Sequence, residues 1–185
     1  MTSETKPTLE EILPEALDFP RAFDSLLLAT ADAAGHPHAS YAVYLADERG
    51  RFHIYISELA AHTANLRVRP EASALFIEDE GQAKSLFGRK RLTCECRAEQ
   101  LLRGAPDWEA VMDGFVAKHG KLMEMLRGLQ DFHLFRLTPE KATYIRGFAQ
   151  AYELSGEQLG HIRHINDKGH QPSSQDTAEA LGSTA

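Results

Sequence analysis

The chain is poor in basic side chains, in cysteine and in long apolar runs, and each shortage removes a class of function. Lysine and arginine total 20 against 27 acidic residues, a net charge of −7. A general nucleic-acid binder needs a basic surface to neutralise phosphates, so nucleic acid is not an expected partner. Two cysteines, Cys94 and Cys96, leave no disulfide framework to hold the fold. No apolar run approaches the ~20 residues of a membrane helix, and residues 1–6 lack the basic start and apolar centre of a secretory signal. No membrane partner and a cytoplasmic location are therefore expected. Walker loops, dinucleotide fingerprints, GxSxG elbows, HExxH and CxxC pairs are all missing.

What remains is 185 residues, 43% hydrophobic and 25% charged, the composition of one globular domain with a sizeable core. Histidine is plentiful: there are nine, with His161, His164 and His170 close together. Imidazole is the commonest metal-ligand side chain and titrates near neutrality, so the count favours a metal or cofactor site without locating it.

Along the chain, residues 1–8 are polar and expected to be disordered, 9–170 form the domain, and 171–185 (QPSSQDTAEALGSTA) have the composition of a flexible tail. Residues 9–23 carry helical spacing broken by Pro14 and Pro20. Three apolar stretches, 25–31, 38–45 and 52–56, are joined by the turn sequences DAAG and DERG, which predicts antiparallel pairing. A short helix over 59–68 stops at Pro70 and is followed by strands at 72–77 and 91–102. Cys94 and Cys96 share a face of the second of these with Leu92 and Ala98, as small core groups. A helix opens at Pro106 with Trp108, Val111, Met112 and Phe115 as its buried stripe, and a second covers 121–126. Strands at 132–137 and 142–148 follow, with 150–154 continuing the latter. The pattern predicts an α+β fold on a small antiparallel barrel.

Among the histidines, His36 and His38 flank Pro37 beside a turn, His53 alternates outward on its strand and His119 ends a helix. His62 lies in the short helix, where an exposed position is the ordinary reading. His161 and His164 would share one face if their segment were helical, the spacing a metal would use. His170 follows Gly169 in a loop region spanning about 156–170. The run Phe87-Gly-Arg-Lys-Arg91 is either a solvated turn or a clamp for carboxylate or phosphate. Asp131 directly precedes the apolar strand FHLFRL, and that spacing alone reads as a strand-start cap accepting backbone N–H bonds.

Taken in order, LLLATADAAGHPHASYAVY (26–44), FHIYISELAAHTANL (52–66), PEASALFIEDE (70–80), AKSLFGRKRLT (83–93), LQDFHLFRLTPE (129–140), GFAQAYELSG (147–156) and Gly169-His170 resemble the HugZ/HutZ haem-utilisation family. This family is a branch of the split-barrel fold shared with pyridoxamine 5′-phosphate oxidase. The resemblance spans residues 22–170. It implies a six- to seven-stranded antiparallel split β-barrel with peripheral helices, and a homodimer that holds haem between protomers. It further implies oxidative opening of haem, by oxygen and an external electron donor, to a biliverdin-type product with iron release. By the same resemblance, His170 corresponds to the axial iron ligand in the C-terminal haem-binding loop. Asp131 corresponds to a carboxylate from the other protomer that hydrogen-bonds this histidine. Arg91 matches a basic residue near the haem and His62 a histidine at the protomer interface. Such a carboxylate fixes an imidazole ligand and raises its basicity, which favours oxygen activation at the iron.

Two rival readings accompany this one. Many split-barrel proteins bind FMN and tend to carry a lysine after the third strand; here the region reads Ser57-Glu-Leu-Ala-Ala-His62, which lowers the flavin reading. A haem carrier without catalysis would need the same iron ligand as an oxygenase.

Overall fold

The computed structural model describes residues 6–165; His170 and the 171–185 tail lie outside the described residues. Eight strands form one antiparallel sheet: β1 (Ser25–Ala31), β2 (Pro37–Ala46), β3 (Phe52–Ser57), β4 (Glu71–Ile77), β5 (Arg91–Leu101), β6 (Phe132–Gly147), β7 (Gln150–Ser155) and β8 (His161–His164). Their order is β3-β2-β1-β4-β5-β6-β7-β8, and β3 also pairs with β6. That last pairing closes the first six strands into a barrel, with β7 and β8 continuing the sheet from the far half of β6. The helices are α1 (Leu9–Asp18), α2 (Ala61–Val68), α3 (Pro106–His119) and α4 (Lys121–Arg127). The expected split barrel with peripheral helices is borne out. Among the described residues no helix is long and apolar enough to cross a membrane.

Three local expectations are corrected. Residues 150–154 do not continue the preceding strand but turn back beside it as β7, through Tyr144↔Tyr152. The stretches 132–137 and 142–148 are one 16-residue strand, β6. Cys96 pairs with Pro139 while Glu95 pairs with Lys141, so Glu140 is the extra residue of a bulge. The bulge accommodates a proline that cannot donate to the ladder, and this is why the sequence looked interrupted there. The segment with His161 and His164 is likewise a strand, paired with β7 through Ser155↔His161 and Tyr152↔His164. Strand period places the two imidazoles on opposite faces, so they are not a helical ligand pair.

Two apolar cores result. The barrel interior packs Leu26, Leu28, Tyr44, Ile54, Phe76 and Leu92 with Cys94 and Cys96, as the alternation of β1, β3 and β5 requires. Outside it, α3 and α4 cover β3 and β6 through Tyr55, Leu101, Trp108, Met112, Phe115 and Leu134. Helix α3 lies tight on the sheet: a Cβ on Gly114 would stand 2.7 Å from Leu45 Cδ2. His53 does point out of the barrel, but into this second core rather than solvent. It is 1% exposed and its Nδ1 has no hydrogen-bond partner. Burial lowers its pKa, against the pull of Asp47.

The two barrel ends are covered differently. At one, α2 buries His62, Thr63, Asn65 and Leu66; the Thr63 hydroxyl donates to the Ser57 carbonyl (2.6 Å) and Asn65 Nδ2 to Thr30 Oγ1 (3.0 Å). At the other lies α1, started by a reciprocal cap in which Thr8 Oγ1 accepts from Glu11 N–H and the Glu11 carboxylate from Thr8 N–H. Here the Tyr44 hydroxyl donates to the Pro20 carbonyl and that of Tyr144 to Glu15 (2.8 Å).

Candidate functional site

His62 is buried, not the exposed helical residue its position suggested, with 8% exposure. Its Nδ1 stands 3.0 Å from Ser40 Oγ, and the Ser40 hydroxyl donates to the Leu28 carbonyl at 3.1 Å. The hydroxyl proton is thus committed, so Nδ1–H must be the donor to Ser40 and the lone pair sits on Nε2. Burial, reinforced by His38, lowers the pKa. The result is a neutral imidazole in a fixed tautomer, able to accept a proton or a metal through Nε2.

Asp131 lies at the same end of the barrel. Its carbonyl accepts the Glu58 N–H (2.8 Å). Among the described residues its half-buried carboxylate takes no hydrogen bond or ion pair, so the strand-cap reading is not what the structure shows: the backbone ties this corner and the side chain is left over. Two residues on and on the same face, His133 Nε2 lies 2.7 Å from Glu58 Oε1 and 2.8 Å from the Arg67 guanidinium, and its Nδ1 lies 3.2 Å from Gln100 Nε2. Arg67 donates to the same Glu58 oxygen (2.8 Å). Arg67, and then His133, hold the Glu58 carboxyl below its ordinary range. Sequence reasoning passed over His133, although its place two residues beyond Asp131 on a strand put it on the same face.

Arg91 opens β5 at the opposite end. Of the three cations in its run, Arg89 donates to Glu80 (3.0 Å) and Lys90 to Glu15 (3.2 Å). Burial opposes charge on Glu15, but bonds from Arg146, Tyr144 and Lys90 outweigh it and leave the carboxyl below its usual range. Two of the three clamp candidates are therefore spent within the chain. Among the described residues Arg91 donates only to the Arg89 carbonyl (2.9 Å) and has no acidic partner, so within them it alone of the run keeps charge for an external anion.

These residues do not converge in one chain. On the β5–β6 ladder Arg91 pairs with Ile145, whereas Leu134, three residues from Asp131, pairs with Leu101; measured along the ladder at the usual strand rise, Arg91 and Asp131 are roughly 43 Å apart. Between the two ends lies a bare apolar sheet face. Leu27 is paired with both Tyr41 and Leu75 on the outside of β1, β2 and β4, and Leu27 and Tyr41 are 46% and 58% exposed. Among the described residues no cluster of ligating side chains could hold a metal ion.

A family model for pyridoxamine 5′-phosphate oxidase matches residues 12–146. The chain is 41% identical over 158 residues to haem oxygenase HutZ of Vibrio cholerae, covering 85% of this chain and 89% of that one. The chain belongs to this split-barrel family, in its HutZ branch. A crystal structure of HutZ, described as the haem storage protein of Vibrio cholerae, superposes with a TM-score of 0.64 at 42% identity, over 69% of this chain and 89% of that one. Campylobacter jejuni ChuZ superposes with a TM-score of 0.81 at 31% identity, over 92% and 69%. The segment matched to the family includes His62, Arg91 and Asp131 and ends before β7, β8 and His170.

Proposed function

We propose that this HutZ-type protein binds haem in a site shared by two copies of the chain and opens the ring oxidatively to a biliverdin-type product with iron release, using O2 and an external reductant. The observation that carries the reading is the separation of Arg91 from Asp131 in one chain, with an uncovered apolar face between them. Closed two-fold dimers are the commonest soluble assembly, and a two-fold contact through that face can set one copy's Arg91 end beside the other's Asp131 end. The naming of the Vibrio cholerae relative as a haem oxygenase supports the chemistry.

The groups fit haem. Among the described residues no acid neutralises the Arg91 guanidinium, which would meet an anionic propionate. His62 would be a neutral imidazole at the interface, and His170, outside the described residues, would ligate the iron. Asp131, supplied by the second copy, has an unused carboxylate to accept the other N–H of His170 and keep that ring electron-rich. Bound haem would supply the iron that activates oxygen; the protein orients it and sets the basicity of its ligand.

Haemin added to the apo-protein should give a Soret band, and ascorbate under air should then bleach it with release of chelatable iron. A storage role is the second reading, favoured by the description of the HutZ crystal structure. Under that reading the Soret band survives ascorbate and air. No Soret band at all, or flavin absorbance in the purified protein, would overturn both.

A further inference from the structure

The barrel is left unsealed at the α1 end. A cavity of about 290 Å³ opens there between α1, the β2–β3 turn, β5, β6 and the short turn Glu157–Leu159. Its apolar walls include Leu17, Phe52, Leu92, Cys94 and Leu159. The last four belong to the barrel core and are each at most 6% exposed. The cavity is therefore a gap in the core itself, not a groove on the outer face, and none of His62, Asp131 and Arg91 lines it.

Two backbone irregularities and one unspent charge converge on it. Gln158 and Leu159 both sit in the left-handed region, at φ 51° and 58°. Residues with a Cβ rarely adopt that conformation, and such strain gathers at ligand clamps. Pro139, beside the β6 bulge, forms part of the wall, and bulges recur next to binding sites. On the rim, Arg51 is committed to Asp47 (2.6 Å) and Arg21 faces Asp18 (3.4 Å). Among the described residues the Arg49 guanidinium makes no hydrogen bond or ion pair. Glu157 is the one lining acid that likewise lacks a partner there.

We propose that this cavity is a binding site for a small amphipathic carboxylate, its apolar body in the barrel mouth and its head group on Arg49. An apolar pocket with few polar groups at its mouth is the usual form of a small-molecule site, and a guanidinium grips a carboxylate through two parallel bonds. Glu157 repels such a head group and limits the affinity.

The test is calorimetric titration of octanoate into the full-length apo-protein, with octanol and octylamine as controls, alongside methyl NMR. Saturable binding of one octanoate per chain is expected, roughly tenfold tighter than octanol, with octylamine weakest. Arg49→Gln should reduce octanoate to the level of octanol, Glu157→Gln should tighten octanoate alone, and Ala46→Phe should block both ligands by filling the mouth. The methyl signals of Leu17, Leu92 and Leu159 should shift in the wild-type protein while those of Leu27 and Leu75 stay. This readout needs no variant to fold. Non-saturable uptake, equal binding of all three probes, or shifts confined to Leu27 and Leu75 would overturn the proposal.

Discussion

The barrel wall carries two apolar outer faces that end differently. Over β3 and β6 the outward residues Tyr55 and Leu134 are buried beneath Trp108, Met112 and Phe115 of α3. Over β1, β2 and β4 the outward residues Leu27 and Tyr41 stand 46% and 58% exposed, with α3 reaching only the far end of β2 at Val43 and Leu45. The hydrophobic alternation of the strands is the same in both regions; only the cover differs. An apolar face that a chain does not cover itself marks an interaction surface, and here it runs between two groups of candidate residues that one chain keeps apart.

The comparison predicts opposite responses to mutation. On the covered face, Phe115→Ala should cost about 3–5 kcal/mol, since it empties a fully buried ring position. Leu27→Ala on the bare face should change the monomer's intrinsic stability by about 0.5 kcal/mol or less. Denaturant titration of both, with the bare-face variant measured at high dilution, reads the contrast directly; equal losses would erase it. Leu27→Asp together with Tyr41→Asp should leave the barrel folded by circular dichroism, halve the mass seen by light scattering and abolish haem degradation. An unchanged mass would mean that the bare face is not where the copies meet.

Next in size is Asp131→Asn, which keeps a partner of similar shape for the ligand histidine but removes its charge. Haem affinity should hold while turnover falls about 10–100-fold, the usual scale for a lost partner of a metal ligand. Wild-type turnover with a lowered melting temperature would instead mark Asp131 as a structural residue. The smallest effect concerns pH. Burial lowers the pKa of His53, and burial with His38 lowers that of His62, so below the unfolded value of about 6.5 the unfolded chain binds protons that the folded chain refuses. Stability should therefore be full above that pH and decline as pH falls through it toward 5. His53→Leu should flatten the decline in melting temperature between pH 7 and 5; an unchanged slope would remove His53 from the account.

Strand order and the inner faces were legible because turn residues and period-two alternation are local signals: Gly35 and Gly50 do take the left-handed turn conformation, at φ 89° and 72°. The bulge in β6 was not legible, since a proline in a strand looks like an end until the partner strand is seen to slip by one residue. Nor was the cover over His53. Alternation says which way a side chain points and says nothing of what lies there, and α3 comes from a segment more than fifty positions away. At the site, the haem-related roles of Arg91 and Asp131 came from family resemblance, and the pairing of Arg89 and Lys90 with Glu80 and Glu15, nine and seventy-five positions away, rests on contacts that no spacing encodes.

The claim that two copies build each haem site is tested most directly by mixing two inactive chains. His170→Ala and Asp131→Asn should each degrade haem poorly alone. If His170 comes from one copy and Asp131 from the other, subunit exchange between them restores one intact site in every mixed dimer, and turnover should rise to roughly a quarter of the wild-type value. A mixture no more active than its two parents, after exchange is confirmed by mass, would contradict the shared site.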